Sequence, residues 1–289
     1  MLTVTAKTVD GAPLNSSRKG TGMIAWLGHL SPRRRIFALG LALLTVAGVS
    51  FGVITAIAGH VSSDPPAGYP PQNRPGPVLL VPGYGGSTVA LGALARRIRA
   101  DGRAATVVHL PGNGTGTLVS DAGVLNNAVT RALGGGAPSV DVIGYSAGGV
   151  AALLWARDDD GDRKARRIIT LGSPFHGAMI AATAVGLLPG ACPLACQQLV
   201  PGSSLLVGLA AGDPRPLPWL SLWTTDDQTV SPPDSARLRG AIDVPIQSVC
   251  PGQRISHSQL PTNPVVTRFV LRAIGPGPLR PPGSADCRS

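Results

Sequence analysis

The sequence contains no glutamate: all 15 acidic residues are aspartate. Any carboxylate that does chemistry here must therefore come from a short list. Lysine is also scarce, and the basic side is almost all arginine. Aromatic residues make up 4% and charged residues 14% of the 289 positions, yet the formal net charge is +10. A nucleic-acid-binding surface would show clustered basic residues with interleaved aromatics. Neither is present, which excludes that class. Half of the excess charge lies in residues 1–60, where Lys7, Arg18, Lys19, Arg33, Arg34 and Arg35 face only Asp10. No histidine stands at ligand spacing from the cysteines, so no zinc site is expected. Gly112-Asn113-Gly114-Thr115-Gly116 lacks both the dinucleotide spacing and a phosphate-binding lysine. No metal and no cofactor is called for, and this glycine cluster reads as a surface loop.

Apolar material is ample, at 44%, and 38 Gly with 28 Pro point to many turns. The uncharged, apolar stretch of residues 36–58 exceeds the roughly 20 apolar residues that a helix needs to cross a bilayer. Arg33, Arg34 and Arg35 precede it, which orients the remainder of the chain out of the cytoplasm. Two readings stand: a membrane anchor, or a signal segment cleaved after Ala56-Ile57-Ala58. The chain is accordingly expected to divide into a basic leader (1–35), a transmembrane or signal segment (36–59), a Pro-rich linker (60–76), a catalytic domain (77–275) and a tail (276–289). The expected location is extracytoplasmic, with the membrane as partner only if the segment stays uncleaved.

Within 77–275, short apolar runs alternate with helical spacing. Val78 to Val81, Ala104 to Leu110, Val140 to Ile143, Arg167 to Leu171, Leu220 to Thr224 and Val244 to Val249 read as strands. Thr88 to Ala100 and Ala147 to Ala156 read as helices. Such alternation predicts an α/β domain with a mostly parallel sheet and helices on both faces.

Gly144-Tyr145-Ser146-Ala147-Gly148 is a G-x-S-x-G motif between a predicted strand and a predicted helix, the context in which it presents a nucleophilic serine. Acyl transfer also needs two N–H groups aimed at the developing oxyanion. Ala147, directly after the serine, supplies one. Tyr84, in the Gly-rich loop after the first strand, is the candidate for the other. The base follows the serine in chain order with an acid between them. His176 and His257 are the histidines after Ser146. His176 directly follows a strand with no acid at a suitable distance before it, and reads as a wall or structural residue. His257 follows the last predicted strand and fits the base. Asp213, Asp226, Asp227, Asp234 and Asp243 remain candidates for the acid.

VLLVPGYGG, GYSAGG, LGSPFHG, CPLACQQLVPGS and DQTVSP followed by His257 together resemble secreted or membrane-anchored lipases and esterases of actinobacteria, of the α/β-hydrolase fold. The resemblance covers roughly residues 77–275. It implies a triacylglycerol-lipase-like hydrolase acting on small-molecule or lipid esters. It also selects Asp227 as the acid. In such enzymes the acid is followed three residues later by an apolar anchor with a Pro close behind, as in Asp227-Gln228-Thr229-Val230-Ser231-Pro232. The same triad also serves acyl transfer and thioester cleavage. A tethered binding module without catalysis is the reading from another class.

Four cysteines permit three pairings. Cys192–Cys196 with Cys250–Cys287 is the economical choice, and export makes disulfides plausible. The apolar stretch Ala178 to Leu188 reads either as a cap over an acyl pocket or as a buried helix.

Overall fold

A computed structural model of the protein describes residues 68–187, 190, 192–212 and 216–287, together with Ser31 and Arg33. The chain divides into two units, Met1–Ser62 and Ser63–Ser289, and the fold below is that of the second. The expected segment 36–59 lies outside the described residues, as does Asp213. Among the described residues no helix is long and apolar enough to cross a membrane.

The elements run β1 (Val78–Val81), α1 (Val89–Ala100), β2 (Ala105–Val107), α2 (Leu118–Gly134), β3 (Val140–Tyr145), α3 (Ala147–Asp158), α4 (Gly161–Lys164), β4 (Ala165–Leu171), α5 (Met179–Leu187), α6 (Leu194–Gln198), α7 (Ser204–Ala210), β5 (Trp219–Trp223), β6 (Ile242–Pro245), α8 (Ile246–Val249) and α9 (Pro264–Ile274). The six strands form one sheet in the order β2-β1-β3-β4-β5-β6. Every neighbouring pair is parallel. Alternate strand residues feed two cores, as the two-residue period of a strand requires. Leu79, Val81, Val142 and Ile168 pack with α2 and α3 on one face. Val78, Leu80, Ile143, Ile169 and Leu222 pack with α1 and α9 on the other.

Local chemistry fixes several ends. Thr117 caps α2 by accepting the Ser120 N–H at 3.0 Å. Asn263 caps α9 by accepting the Val265 N–H at 2.8 Å, with Pro264 in the first turn, where its missing N–H costs nothing. One expected strand is corrected. The stretch Val244 to Val249 is extended only to Pro245, and Ile246–Val249 forms a helical turn. Pro245 offers no N–H to the ladder, and its φ of −67° suits the start of a helix. The strand lies at the sheet edge, where proline is tolerated.

Residues before β1 and after α9 meet at the edge of the sheet where β3 and β4 begin. Arg166 and Arg167 of β4 are fully buried beside Asp141 of β3. Asp141 accepts from Arg166 Nε and from Arg103, each at 2.9 Å. Arg166 also donates to the carbonyls of Gln72 and Gly275 at 2.8 Å and of Ile274 at 2.6 Å. The guanidiniums thus satisfy carbonyls at the C-terminus of α9, the negative end of its dipole. Burial, with Arg166 beside it, lowers the Arg167 pKa to about 10. Both disulfides, Cys192–Cys196 and Cys250–Cys287, are present. The second carries the tail back to the residues after β6.

Asp121, in the first turn of α2, is buried, and its Oδ1 has no hydrogen-bond partner among the described residues. Burial raises its pKa from 3.8 to about 6. The folded protein therefore holds a proton that the unfolded chain has lost between pH 4 and 6, so stability falls as pH rises through that window. Asp121→Asn keeps the shape and removes the charge. It is expected to raise stability at pH 8 by about 1–3 kcal/mol, or several degrees in melting temperature, with no gain below pH 4. Thermal melts of both proteins at pH 3.5 and pH 8 check this.

Candidate active site

The β3 strand reverses into α3 at Ser146, whose φ of 52° and ψ of −127° lie in a region that side chains rarely occupy. Such strain persists only where neighbours hold it. The Ser146 N–H donates to the Leu171 carbonyl at 2.9 Å, and the Ser146 carbonyl accepts from Gly149 at 3.0 Å. The backbone crowds the turn so closely that side chains are excluded. A Cβ on Gly148 would stand 2.3 Å from the Val81 oxygen, and one on Gly144 would stand 2.5 Å from the Gly149 Cα. Ala147 opens α3, so its N–H belongs to the first turn, which has no intrahelical acceptors.

The loop after β1 lies directly against this turn. A Cβ on Gly83 would come within 2.8 Å of the Ser146 Cβ. The Gly86 N–H closes a tight turn onto the Gly83 carbonyl at 3.0 Å. Gly86 in turn packs on the backbone of Asn113, so the second glycine-rich loop braces the first. Tyr84, at the head of this turn, is partly exposed and shares a cavity with Ser146.

Asp227 and His257 are brought together, 30 residues apart in sequence and both buried. The His257 Nδ1 donates to Asp227 Oδ2 at 2.7 Å. The other carboxylate oxygen accepts the N–H groups of Thr229 at 2.9 Å and Val230 at 2.7 Å. The neighbouring Asp226 turns away, to an exposed pairing with Arg254 at 3.6 Å. Asp243 accepts the Leu238 N–H at 3.0 Å, and burial raises its pKa. His176 is held through Nδ1 by the Ser235 carbonyl at 3.1 Å. It lines a separate cavity of about 300 Å³ with Phe175, Trp219 and Arg237. Among the described residues the Ser146 hydroxyl makes no hydrogen bond.

The cavity at Ser146 holds about 260 Å³. Its walls are Ile180, Ala181 and Ala184 of α5, the Cys192–Cys196 disulfide, Leu199, Pro174 and Val230, with Tyr84, Ser146 and Thr229 as its polar groups. Helix α5 is not the buried helix of one sequence reading. Only Ala181 is buried, while Met179, Ile180 and Leu187 are at least half exposed.

Sequence reasoning passed over three side chains that hold these groups. Tyr145 stacks on His257, with ring centroids 5.1 Å apart. Its hydroxyl donates to the His257 carbonyl at 3.3 Å. Burial and the nearby Asp227 charge push its phenol up to about 12. Thr224 and Gln247 join the loops that carry Asp227 and His257. Tyr145 occupies the variable place of the G-x-S-x-G motif, and its adjacency to the serine was the one available signal.

No family model and no curated protein matches the chain. Solved structures do. Lipase B of Aspergillus fumigatus superposes with a TM-score of 0.59 at 18% identity, over 78% of this chain and 62% of that one. The mature form of lipase BlEst2 of Bacillus licheniformis gives 0.51 at 18% identity, over 64% of this chain and 85% of that one. Its propeptide form gives 0.57 at 17% identity, over 77% and 54% respectively. The chain thus spans less than two thirds of the length of the Aspergillus lipase. At such identities the likeness is one of fold, shared with these lipases.

Proposed function

We propose that this chain is a serine hydrolase that cleaves carboxylic esters of lipid type through an acyl-enzyme. Ser146 is the nucleophile, His257 the base and Asp227 the acid, with the N–H groups of Tyr84 and Ala147 as the oxyanion hole. The observation that carries this reading is the buried His257 Nδ1 to Asp227 Oδ2 bond of 2.7 Å beside a strained serine turn. A carboxylate on Nδ1 fixes the tautomer that leaves Nε2 free to take a proton, and it stabilises the imidazolium that results. In the proposed sequence Ser146 Oγ attacks the ester carbonyl carbon and its proton passes to His257 Nε2. The alcohol then leaves with that proton. Water repeats the sequence on the acyl-enzyme and releases the acid. The largely apolar cavity at Ser146 supports an acyl chain as the group bound there.

Two disulfides support an oxidising, extracytoplasmic compartment. The apolar run 36–58 behind Arg33 to Arg35 would deliver the domain there, either anchored and facing outward or secreted.

A series of p-nitrophenyl esters of rising chain length, with a fluorophosphonate probe, tests the reading. Ser146→Ala is expected to abolish labelling and to lower turnover by about 10⁶-fold with the fold retained. Turnover above a tenth of the parent rate would overturn the serine mechanism. Asp227→Asn is expected to lower kcat by about 10⁴-fold at neutral pH, because the imidazolium loses its partner charge. Asp226→Asn should stay within about threefold of the parent, since its exposed pairing contributes little. Steady-state kinetics of the two variants side by side check the assignment, and equal losses would reject it.

A further inference from the structure

The loop that carries His257 is fastened from two sides by side chains outside the triad, and the fastening reaches the nucleophile turn on one side and the acid loop on the other. We infer that Tyr145 and Thr224 are positioning residues that clamp His257 into its orientation toward Asp227 and Ser146. This inference rests on the catalytic reading above.

On the acid side, Thr224 is fully buried at the end of β5. Its hydroxyl donates to the Ile255 carbonyl at 2.7 Å, two residues before His257. The same oxygen accepts from Gln247 Nε2 at 2.8 Å and from the Asp226 N–H at 3.2 Å. One donor and two acceptor sites exhaust a hydroxyl, so Thr224 is saturated and cannot turn. Gln247 doubles the connection. Its Oε1 accepts the Thr225 N–H at 3.0 Å, and its Nε2 also reaches the Gln253 carbonyl at 3.3 Å. The acid loop and the base loop are thereby one hydrogen-bonded body, and the Thr224 carbonyl accepts the Asp227 N–H itself at 3.3 Å.

On the nucleophile side, Tyr145 is the residue before Ser146. Its hydroxyl holds the His257 carbonyl and its ring lies against the imidazole at an interplanar angle of 32°. The backbone after β4 closes in as well. A Cβ on Gly172, whose φ is +57°, would come within 3.1 Å of His257 Nδ1. An imidazole packed against an aromatic ring and a bare glycine backbone has little freedom to swing. Proton transfer needs this, because a displacement of about 1 Å from the productive geometry costs up to about 100-fold in rate.

Four variants test the clamp. Thr224→Val removes the hydroxyl and keeps the shape, while Thr224→Ser restores the hydroxyl. Tyr145→Leu removes ring and hydroxyl, while Tyr145→Phe removes the hydroxyl alone. The readouts are kcat and KM on a p-nitrophenyl ester, melting temperature, and the downfield proton resonance of the His257 Nδ1–H···Asp227 bond. Thr224→Val and Tyr145→Leu are expected to lower kcat by about 10- to 100-fold with KM within about threefold, and to broaden or shift the downfield resonance. Thr224→Ser should return kcat to within about threefold of the parent, and Tyr145→Phe should fall between. The clamp is overturned if kcat holds in Thr224→Val and Tyr145→Leu while Ser146→Ala is inactive, if the resonance is unchanged in slow variants, or if Thr224→Ser fails to rescue. Should Thr224→Val not fold, Tyr145→Leu and Tyr145→Phe decide the matter by the same readouts. Turnover above a tenth of the parent rate in Ser146→Ala would instead overturn the catalytic reading beneath it.

Discussion

A serine held at φ 52° between a parallel strand and a helix can exist only where the neighbouring backbone presses on it without side chains in the way. The rest of the structure follows from meeting that condition. The positions that would intrude are all glycine: Gly83 from the loop after β1, Gly144 before the turn, and Gly148 and Gly149 after it. Three of these contacts join the turn to neighbouring strands. Gly83 and Gly148 bring β1 against the start of α3, and Gly149 brings α3 against Ser173 after β4. The Ser146 N–H to Leu171 bond ties the turn to the end of β4 itself. With β1, β3 and β4 adjacent and parallel, their outgoing loops have to converge on one spot, and the serine occupies it.

The same parallel arrangement separates the sheet into two chemically distinct edges. Where the strands end, the polar groups are those that can exchange protons: Ser146, His257 and Asp227. Where β3 and β4 begin, the polar groups are charged and largely paired, Asp141, Arg103, Arg166 and Arg167 with the carbonyls closing α9, while the buried Arg167 Nε has no partner among the described residues. Burying arginines is costly unless the charge is paired and the donors are hydrogen-bonded. Here the partners come from residues 72 and 273–277, so the charge cluster fastens the chain before β1 and the end of α9 to the sheet. An edge held this firmly leaves the strand ends free to carry loops of functional value.

The serine turn was legible in the sequence because it is a local object. Five residues, a preceding Val140 to Ile143 run and a following alanine-rich helix contain all of its geometry. Asp227 and His257 were singled out in the sequence as the proposed acid and base through chain order and, by the resemblance, through the apolar Val230 three residues after Asp227, and the Val230 N–H donates to the Asp227 carboxylate. What the pattern did not carry is long-range. Tyr145 meets His257 across 112 positions and Thr224 meets Ile255 across 31, and nothing in their own neighbourhoods marks them. Arg166 and Arg167 stand at the polar start of the Ile168 to Leu171 run, yet both are buried, with partners 25 to 110 residues away. The end of β6 was misread for a local reason: Val244 and the apolar residues after it satisfy strand spacing, and the lone proline among them decides otherwise.

The base loop shows how an irregular segment can be made as rigid as the sheet beside it. His257 follows Cys250 by seven residues, and the bridge to Cys287 closes across 37 positions at that root. A covalent tie of this span removes on the order of 3–4 kcal/mol of chain entropy from the unfolded state in a loop-closure description. The tail that supplies Cys287 is itself held to α9, where Arg268 binds the Asp286 and Cys287 carbonyls and Arg272 pairs with Asp286 at 2.5 Å. From that root the loop meets Gln247, Thr224 and Tyr145 in turn before His257 closes on Asp227. Each of these contacts begins on an element of the sheet or on a helix packed against it. The imidazole therefore inherits its orientation from the core. A histidine on a free loop would sample many rotamers, whereas this one is held in one setting against Asp227, Tyr145 and the Gly172 backbone.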